Sequence, residues 1–437
     1  MGQQSHSATN TKLERIAWLS KQDSDKKFSC LMHLYNYETL VECFNELDKD
    51  KAVGVDGITK TAYGLNLHSN INELITKMKA MAYRPGPVRE SLIPKEGKPG
   101  ATRSLGISNL EDKIVQKMTQ KILESIYEPL FLDCSYGFRP NRSCHTAIRA
   151  LSQHLYENEI QTVIDIDLKN FFGTISHKLM EDALRTKIID PKFMRYIIRM
   201  FKAGVLTEGD LRITEEGIPQ GSICSPIMAN IFAHYALDKW IDDMVQPACK
   251  GKVALFRYAD DAIICCQYDT DAQRIRQVLG KRLEKFELQL NEEKTKLVAF
   301  DKEAAAQGVK QGTFDFLGFT FYIGKSQTGR MIPKLKTRAK TMRTKLKRVN
   351  EWAKEIKDWR LLKGIWTTFK AKLRGHIQYY GISHNSQKVQ EFLFRSTRIM
   401  FKWLNRRSQR RSFNWEKFTL FMRMNPLPRA IIVHKLF

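Results

Sequence analysis

None of the eight cysteines forms a C-x-x-C pair, so the sequence offers neither a zinc ribbon nor a thioredoxin-like site. Free thiols in a reducing compartment are expected instead. No apolar run approaches the roughly 18 residues that a membrane span needs, so no span is predicted. The start, MGQQSH, lacks the apolar stretch of a signal peptide, and His6 stands where a myristoylation motif needs Ser or Thr. A cytoplasmic location is therefore expected. Acidic residues are scarce in one region. From Lys325 to Phe437, 29 Lys and Arg face five Asp and Glu, whereas the preceding 324 residues hold 43 against 42. The net charge of +25 thus sits almost wholly in the last quarter, a surface suited to polyanions and unsuited to cationic partners.

What is present suits a folded protein. With 437 residues, 43% apolar and 27% charged, the chain can bury two to four packed units. Residues 1–27 are polar and read as an arm. Leu31, Leu34, Leu40 and Phe44 then recur at near-helical spacing. YRPGPVRESLIPKEGKPGATRSLGIS (83–108) alternates short apolar stretches with Pro, Gly and basic residues, as hairpins over a polar groove would. Helices are predicted over 110–127, 146–156, 178–203 and 271–290, and a GIPQGS turn opens another over 217–240. Strands are predicted over 162–168, 253–258, 262–267 and 313–322. This order lacks a βαβαβ rhythm, so an α+β fold is favoured over a doubly wound sheet. Beyond residue 325 strand signals nearly vanish. KLKTRAKTMRTKLKRVNEWAKEIKDW, with Leu335, Met342, Leu346, Val349, Trp352 and Ile356 apolar, predicts a helix with a broad basic face, and so a separate basic helical domain.

The chemistry lies in two carboxylate clusters. FRYADDAIICC (256–266) places Asp260 and Asp261 between two apolar strand-like stretches, a hairpin with acids at its tip. Adjacent carboxylates repel, so such a tip gains little without a cation, although a solvated turn is the plainer alternative. In VIDIDLKNFFG, Asp165 and Asp167 are two apart in a strand and share a face. Two acid-bearing strands suit a pair of Mg2+ ions, which take a few carboxylates and fill their shell with substrate phosphates. Between the clusters, GIPQGSICSPIMANIFAHYALD (217–238) supplies a turn that lets backbone approach a nucleotide, followed by helical amides.

These motifs, with LGIS (105–108), YGFRPNRSCHTAI (136–148), LQLNEEKTK (288–296) and FDFLGFTF (314–321), resemble group II intron-encoded reverse transcriptases in family order, over roughly residues 28–430. The resemblance implies a right-hand polymerase. An N-terminal extension (1–60) would be followed by fingers (61–160), a palm with an antiparallel sheet (161–324) and a helical thumb/maturase domain (325–437). It implies Asp167, Asp260 and Asp261 as catalytic carboxylates holding two Mg2+ ions, with Mn2+ able to substitute, and a backbone oxygen of Ile166 or Leu168 as a further ligand. Asp165 would support the strand. Lys95, Arg103, Phe172 and Gln220 would contact the deoxynucleoside triphosphate, with the Phe172 ring rejecting a ribose 2′-OH. Phe316, Leu317, Gly318 and Phe319 would grip the primer, and either Lys294 or Lys296 would protonate pyrophosphate. The family has Asp after its paired aromatics; this chain has Gly173.

The basic region resembles the thumb and maturase segments of the same family through LRGHIQYYGIS (373–383) and RRSQRRSFNWEKF (406–418). Lys334, Lys336, Arg338, Lys340, Arg343, Lys345, Lys347, Arg348, Arg406, Arg407, Arg410 and Arg411 would neutralise RNA phosphates. Trp352, Trp359, Trp366, Tyr379, Tyr380, Trp403 and Trp415 would either stack on bases or pack a helical core. Implied partners are group II intron RNA, an RNA template with a DNA primer, deoxynucleoside triphosphates and target DNA, in a bacterial host and at the nucleoid when acting on DNA. The family's Cys-rich endonuclease tail is not expected, since PLPRAIIVHKLF carries no Cys pair. Two rivals remain: a splicing factor that has lost polymerisation, and a domesticated polymerase used in defence or repair.

Overall fold

The computed structural model describes residues 8–94, 100, 102–207, 210–213, 215–218, 221–357, 361–407 and 414–436. In chain order the strands are β1 (Val88–Pro94), β2 (Thr102–Ile107), β3 (Thr162–Asp167), β4 (Val205–Thr207), β5 (Asp210–Arg212), β6 (Val253–Tyr258), β7 (Asp261–Cys266), β8 (Lys296–Ala299), β9 (Phe314–Phe316), β10 (Phe319–Lys325) and β11 (Met331–Thr337). They form three sheets, ordered β2-β1-β4-β5, β6-β7-β3-β8 and β11-β10-β9. The last two are antiparallel throughout, while β1 and β4 run parallel. With helices packed around them, the fold is α+β.

The β6-β7-β3-β8 sheet has apolar matter on both faces, because successive side chains point to opposite sides. Ile164 and Ile166 enter one core with the helix Leu110–Tyr127, whose Ile114, Met118, Ile122 and Ile126 are fully buried. Val163, Ile263 and Cys265 enter a second core with the helix Cys144–Glu157 and with Phe314, Phe316, Phe319 and Phe321 of the third sheet. Each buried Phe contributes roughly 1.5–3 kcal/mol, so this second core clamps the third sheet to the one bearing the acids. A third core lies among the helices Ala339–Ile356, Leu362–Tyr380, Ser386–Leu404 and Trp415–Met424. No described helix is long and apolar enough to cross a membrane.

Several predicted elements differ. The arm read over 1–27 holds a helix, Ala8–Gln22, whose Leu13 and Ile16 are buried in the first core. The strand predicted over 313–322 is two, β9 and β10, which pair antiparallel about the turn at Leu317 and Gly318. The helix predicted over 178–203 is two, His177–Arg185 and Pro191–Phe201. The Asp190 side chain accepts from the amides of Lys192 and Phe193, and Pro191 pre-sets the first turn, so a new helix starts there. The helix predicted over 217–240 begins at Ser225, and past Ala233 it widens into π-turns over His234–Asp238 and Ile241–Val245. Strand structure also continues past 325. β11 pairs with β10 from Phe319↔Thr337 to Lys325↔Met331, so the basic helix starts only at Ala339. The alternation of β11, with Pro333, Leu335 and Thr337 buried, was hidden by the helical spacing that follows it.

Candidate active site

β3 and β7 pair so that Asp167 lies opposite Asp261, and Asp165 opposite Ile263. Asp165, Asp167 and Asp261 therefore share one face of the sheet. Asp260 is exposed at the two-residue tip between Tyr258 and Asp261, and Ala259 beside it has a φ of 57°. The tip leans on the YGF segment: Tyr136 N donates to Arg257 O at 2.8 Å, and Arg257 N donates to Cys134 O at 2.8 Å. A Cβ added at Gly137 would meet Ala259 N at 2.5 Å, so a larger residue there would push the tip away.

The loop before β8 wraps Asp167. Its Oδ2 accepts from Lys294 Nζ at 2.6 Å and from Asn291 Nδ2 at 2.8 Å, while its backbone oxygen accepts from Asn291 N at 2.8 Å. Lys296 instead sits on β8 opposite Asp165. Burial, then Asp165, pushes the Asp261 carboxyl up to about 7, against the Leu317 amide 3.5 Å away. Burial, then Asp315 and Asp167, raises Asp165 to about 6.

Ile166 lies within the β3–β7 ladder, and Leu168 lies just beyond it, bridging Leu290. Among the described residues, no three His, Cys, Asp or Glu side chains could hold a metal ion by themselves. A half-buried Asp261 beside Asp165 and Asp260 is an acid concentration that a divalent cation would relieve.

Of the paired aromatics, Phe171 is core and Phe172 half-buried, with the rings edge-on at 5.6 Å. Ile218 N donates to Phe172 O at 2.8 Å, which ties Ile218 to the FFG turn. Gly221, at a φ of 111°, brings the backbone against β2: a Cβ there would stand 2.5 Å from Gly106 O. This close approach is thus to protein backbone, the Gly106 carbonyl of β2. Gly173 faces Asn170, whose Nδ2 would lie 2.2 Å from a Cβ at 173. Asn170 fills the space that the family's Asp would enter. Arg103 is exposed on β2, opposite Ile93. Lys95 and Gln220 lie outside the described residues.

In FLGF, Phe316 and Phe319 are buried. Leu317 and Gly318 form the turn, with φ of 48° and 83°. Leu317 O accepts from Tyr379 Oη at 2.9 Å, and Gly318 O accepts from Arg338 N at 3.1 Å. The two Phe therefore anchor the hairpin, and the Leu317–Gly318 turn reaches the acids.

Lys340, Arg343, Lys347 and Arg348 are exposed along the helix Ala339–Ile356, opposite buried Met342, Leu346, Val349 and Ala353. Lys345 lies over the Tyr380 ring. Lys334 and Lys336 belong to β11 rather than to that helix, with Lys336 over the Tyr322 ring. Arg338 is paired with Asp315 at 2.8 Å. Arg406 is exposed over Trp403, and Arg407 is half-buried. Arg410, Arg411 and Trp359 lie outside the described residues. Trp366, Tyr380 and Trp403 are buried and Trp352 is half-buried, whereas Trp415 is 47% exposed.

Sequence reasoning missed Asn291 and the buried Arg257, which pairs with Asp238. An Arg next to the YADD box, set between apolar residues of a strand, was the available signal.

Residues 93–321 match the family described as reverse transcriptase (RNA-dependent DNA polymerase). The chain is 36% identical over 231 residues to the group II intron-encoded protein LtrA of Lactococcus lactis, covering 52% of this chain and 38% of that protein. It is 33% identical over 311 residues to protein YkfC of Escherichia coli, covering 64% and 78%. An uncharacterized protein in the cob intron of Schizosaccharomyces pombe is 35% identical over 212 residues, covering 48% and 26%. This chain thus spans about two fifths of LtrA and about three quarters of YkfC. A family match over more than half of the sequence, on the strands and turns that carry the acids, places the chain in the reverse transcriptase family.

Proposed function

We propose that this chain is an RNA-directed DNA polymerase of a group II intron, adding deoxynucleotides to a primer and binding the intron RNA whose splicing it assists. The observation that carries the reading is Asp167 opposite Asp261, with Asp260 at the adjoining tip. In this reading 61–160 are fingers, 161–324 palm and 325–437 thumb/maturase, after an N-terminal extension. Asp167, Asp260 and Asp261 would hold two Mg2+ ions, with a backbone oxygen of Ile166 or Leu168 as a further ligand; Leu168, just beyond the β3–β7 ladder, is the better placed. When bound, the two ions lower the pKa of the primer 3′-OH and stabilise the charge on the leaving pyrophosphate.

The chain's own residues bind and orient. Arg103, with Lys95 and Gln220, holds the triphosphate; an Arg fork suits phosphate oxygens. Phe172 closes the sugar pocket against a 2′-OH. The Leu317–Gly318 turn positions the primer end. The exposed cations of 340–348 neutralise template and intron phosphates, which makes binding salt-dependent. Target DNA is the further partner during mobility.

Primer extension on an RNA template with deoxynucleotides and Mg2+ tests the reading, with Asp260→Asn as control. Wild-type extension that is lost in Asp260→Asn supports it. An inactive wild type that still binds intron RNA and promotes splicing would replace it with a splicing factor.

A further inference from the structure

Arg257 is 1% exposed, on the strand that leads into the acidic tip. All five of its N–H groups find acceptors. Nε donates to Asp238 Oδ1 at 2.7 Å, and Nη2 donates to Asp238 Oδ2 at 2.6 Å and to Ser135 Oγ at 2.7 Å. Nη1 donates to Asn230 Oδ1 at 3.1 Å and to the backbone oxygen of Ala259 at 3.1 Å. Asn230 in turn donates through Nδ2 to Gly137 O at 2.6 Å. One planar fork thus ties together the segment 135–137, the helix Ser225–Ala233, its π-turn and the tip itself.

We infer that Arg257, held by Asp238, is a positioning residue that fixes the height and tilt of Asp260 and Asp261. The Ala259 carbonyl it grips belongs to the left-handed residue immediately before Asp260, so releasing that bond frees the acidic tip. Asp238 ends the π-turn His234–Asp238, a widened helical geometry that recurs at functional sites. Stability alone does not call for this arrangement. Well-packed apolar residues in place of a buried ion pair are often neutral or stabilising, whereas directional bonds to a tip are what an ion pair adds.

The inference rests on the polymerase reading, and the two can fail separately. Two variants are compared with wild type, each well below its own unfolding midpoint. The pair Arg257→Met with Asp238→Leu keeps the site filled without charge; Arg257→Lys keeps the charge but loses the fork. Three quantities are read: the midpoint, its rise on adding Mg2+, and the kcat and KM of deoxynucleotide addition. Positioning predicts a fall in kcat approaching about 10²-fold for the apolar pair and a smaller fall for Arg257→Lys. KM should stay nearly unchanged, and the Mg2+-induced rise should be smaller than in wild type. Wild-type kcat and a wild-type Mg2+ response in either folded variant would overturn the inference. Should the apolar pair fail to fold, Arg257→Lys alone decides. A wild type that extends no primer sinks the polymerase reading, and the Mg2+ response then still tests the tip.

Discussion

Lys294 Nζ lies 2.6 Å from Asp167 Oδ2, closer than the amide of Asn291 on the same oxygen at 2.8 Å. Lys296, the other candidate proton donor, is on β8 and faces Asp165 across the ladder. On the proposed polymerase reading, Lys294 is therefore the lysine that would protonate the departing pyrophosphate. Lys294→Met should slow single-turnover nucleotide addition by about 10²-fold, the usual worth of a positioned general acid, and Lys296→Met by far less. Equal effects would remove the assignment.

Phe172 is the half-buried member of its pair and Phe171 the core member. Phe172→Ala should leave the fold intact and raise ribonucleotide incorporation relative to deoxynucleotide, read as the ratio of the two kcat/KM values. Unchanged discrimination would take sugar sensing away from this ring.

Gly173 and Asn170 compete for one space. Restoring the family's acid by Gly173→Asp should lower stability by about 1 kcal/mol, in the range of ordinary single substitutions. Adding Asn170→Gly should recover most of it, because Asn170 also holds a φ of 46° that glycine adopts readily. Urea unfolding of all four variants gives the coupling. Strictly additive effects would mean that Asn170 does not stand in for the acid.

Asp112, on the helix Leu110–Tyr127, gives a separate pH dependence. Burial raises its carboxyl to about 6, against bonds from Tyr83 Oη at 2.5 Å and Gly86 N at 3.1 Å. The folded state then binds more protons than the unfolded between about pH 4 and 6. The stability contributed by the protonated form is full below about pH 4 and is lost as pH rises through 6. Relative to wild type, Asp112→Asn should gain about 2 kcal/mol on going from pH 4 to pH 7. A difference that does not change with pH would refute the raised carboxyl.

The acid-bearing strands were legible because each is a short apolar run with a clear boundary. Predicted strands at 253–258 and 262–267 match β6 and β7 to within a residue. Helix ends were harder to read where the signal was a cap rather than a period, as at Asp190 and Pro191. β11 was masked because its basic residues continue into a basic helix with similar apolar spacing. The Arg257 network could not be read at all. Its acceptors lie up to 122 residues away in sequence, and their meeting depends on the fold.

Leu317 offers its amide to Asp261 and its carbonyl to the Tyr379 hydroxyl. Tyr379 stands near the end of the helix Leu362–Tyr380, which packs in the basic quarter of the chain. One residue is therefore a mechanical linkage between the part that would grip a strand and the acid that would hold a metal. The two ends of that turn thus share a single residue, so a substitution that displaces Tyr379 is felt at Asp261 through the backbone of Leu317.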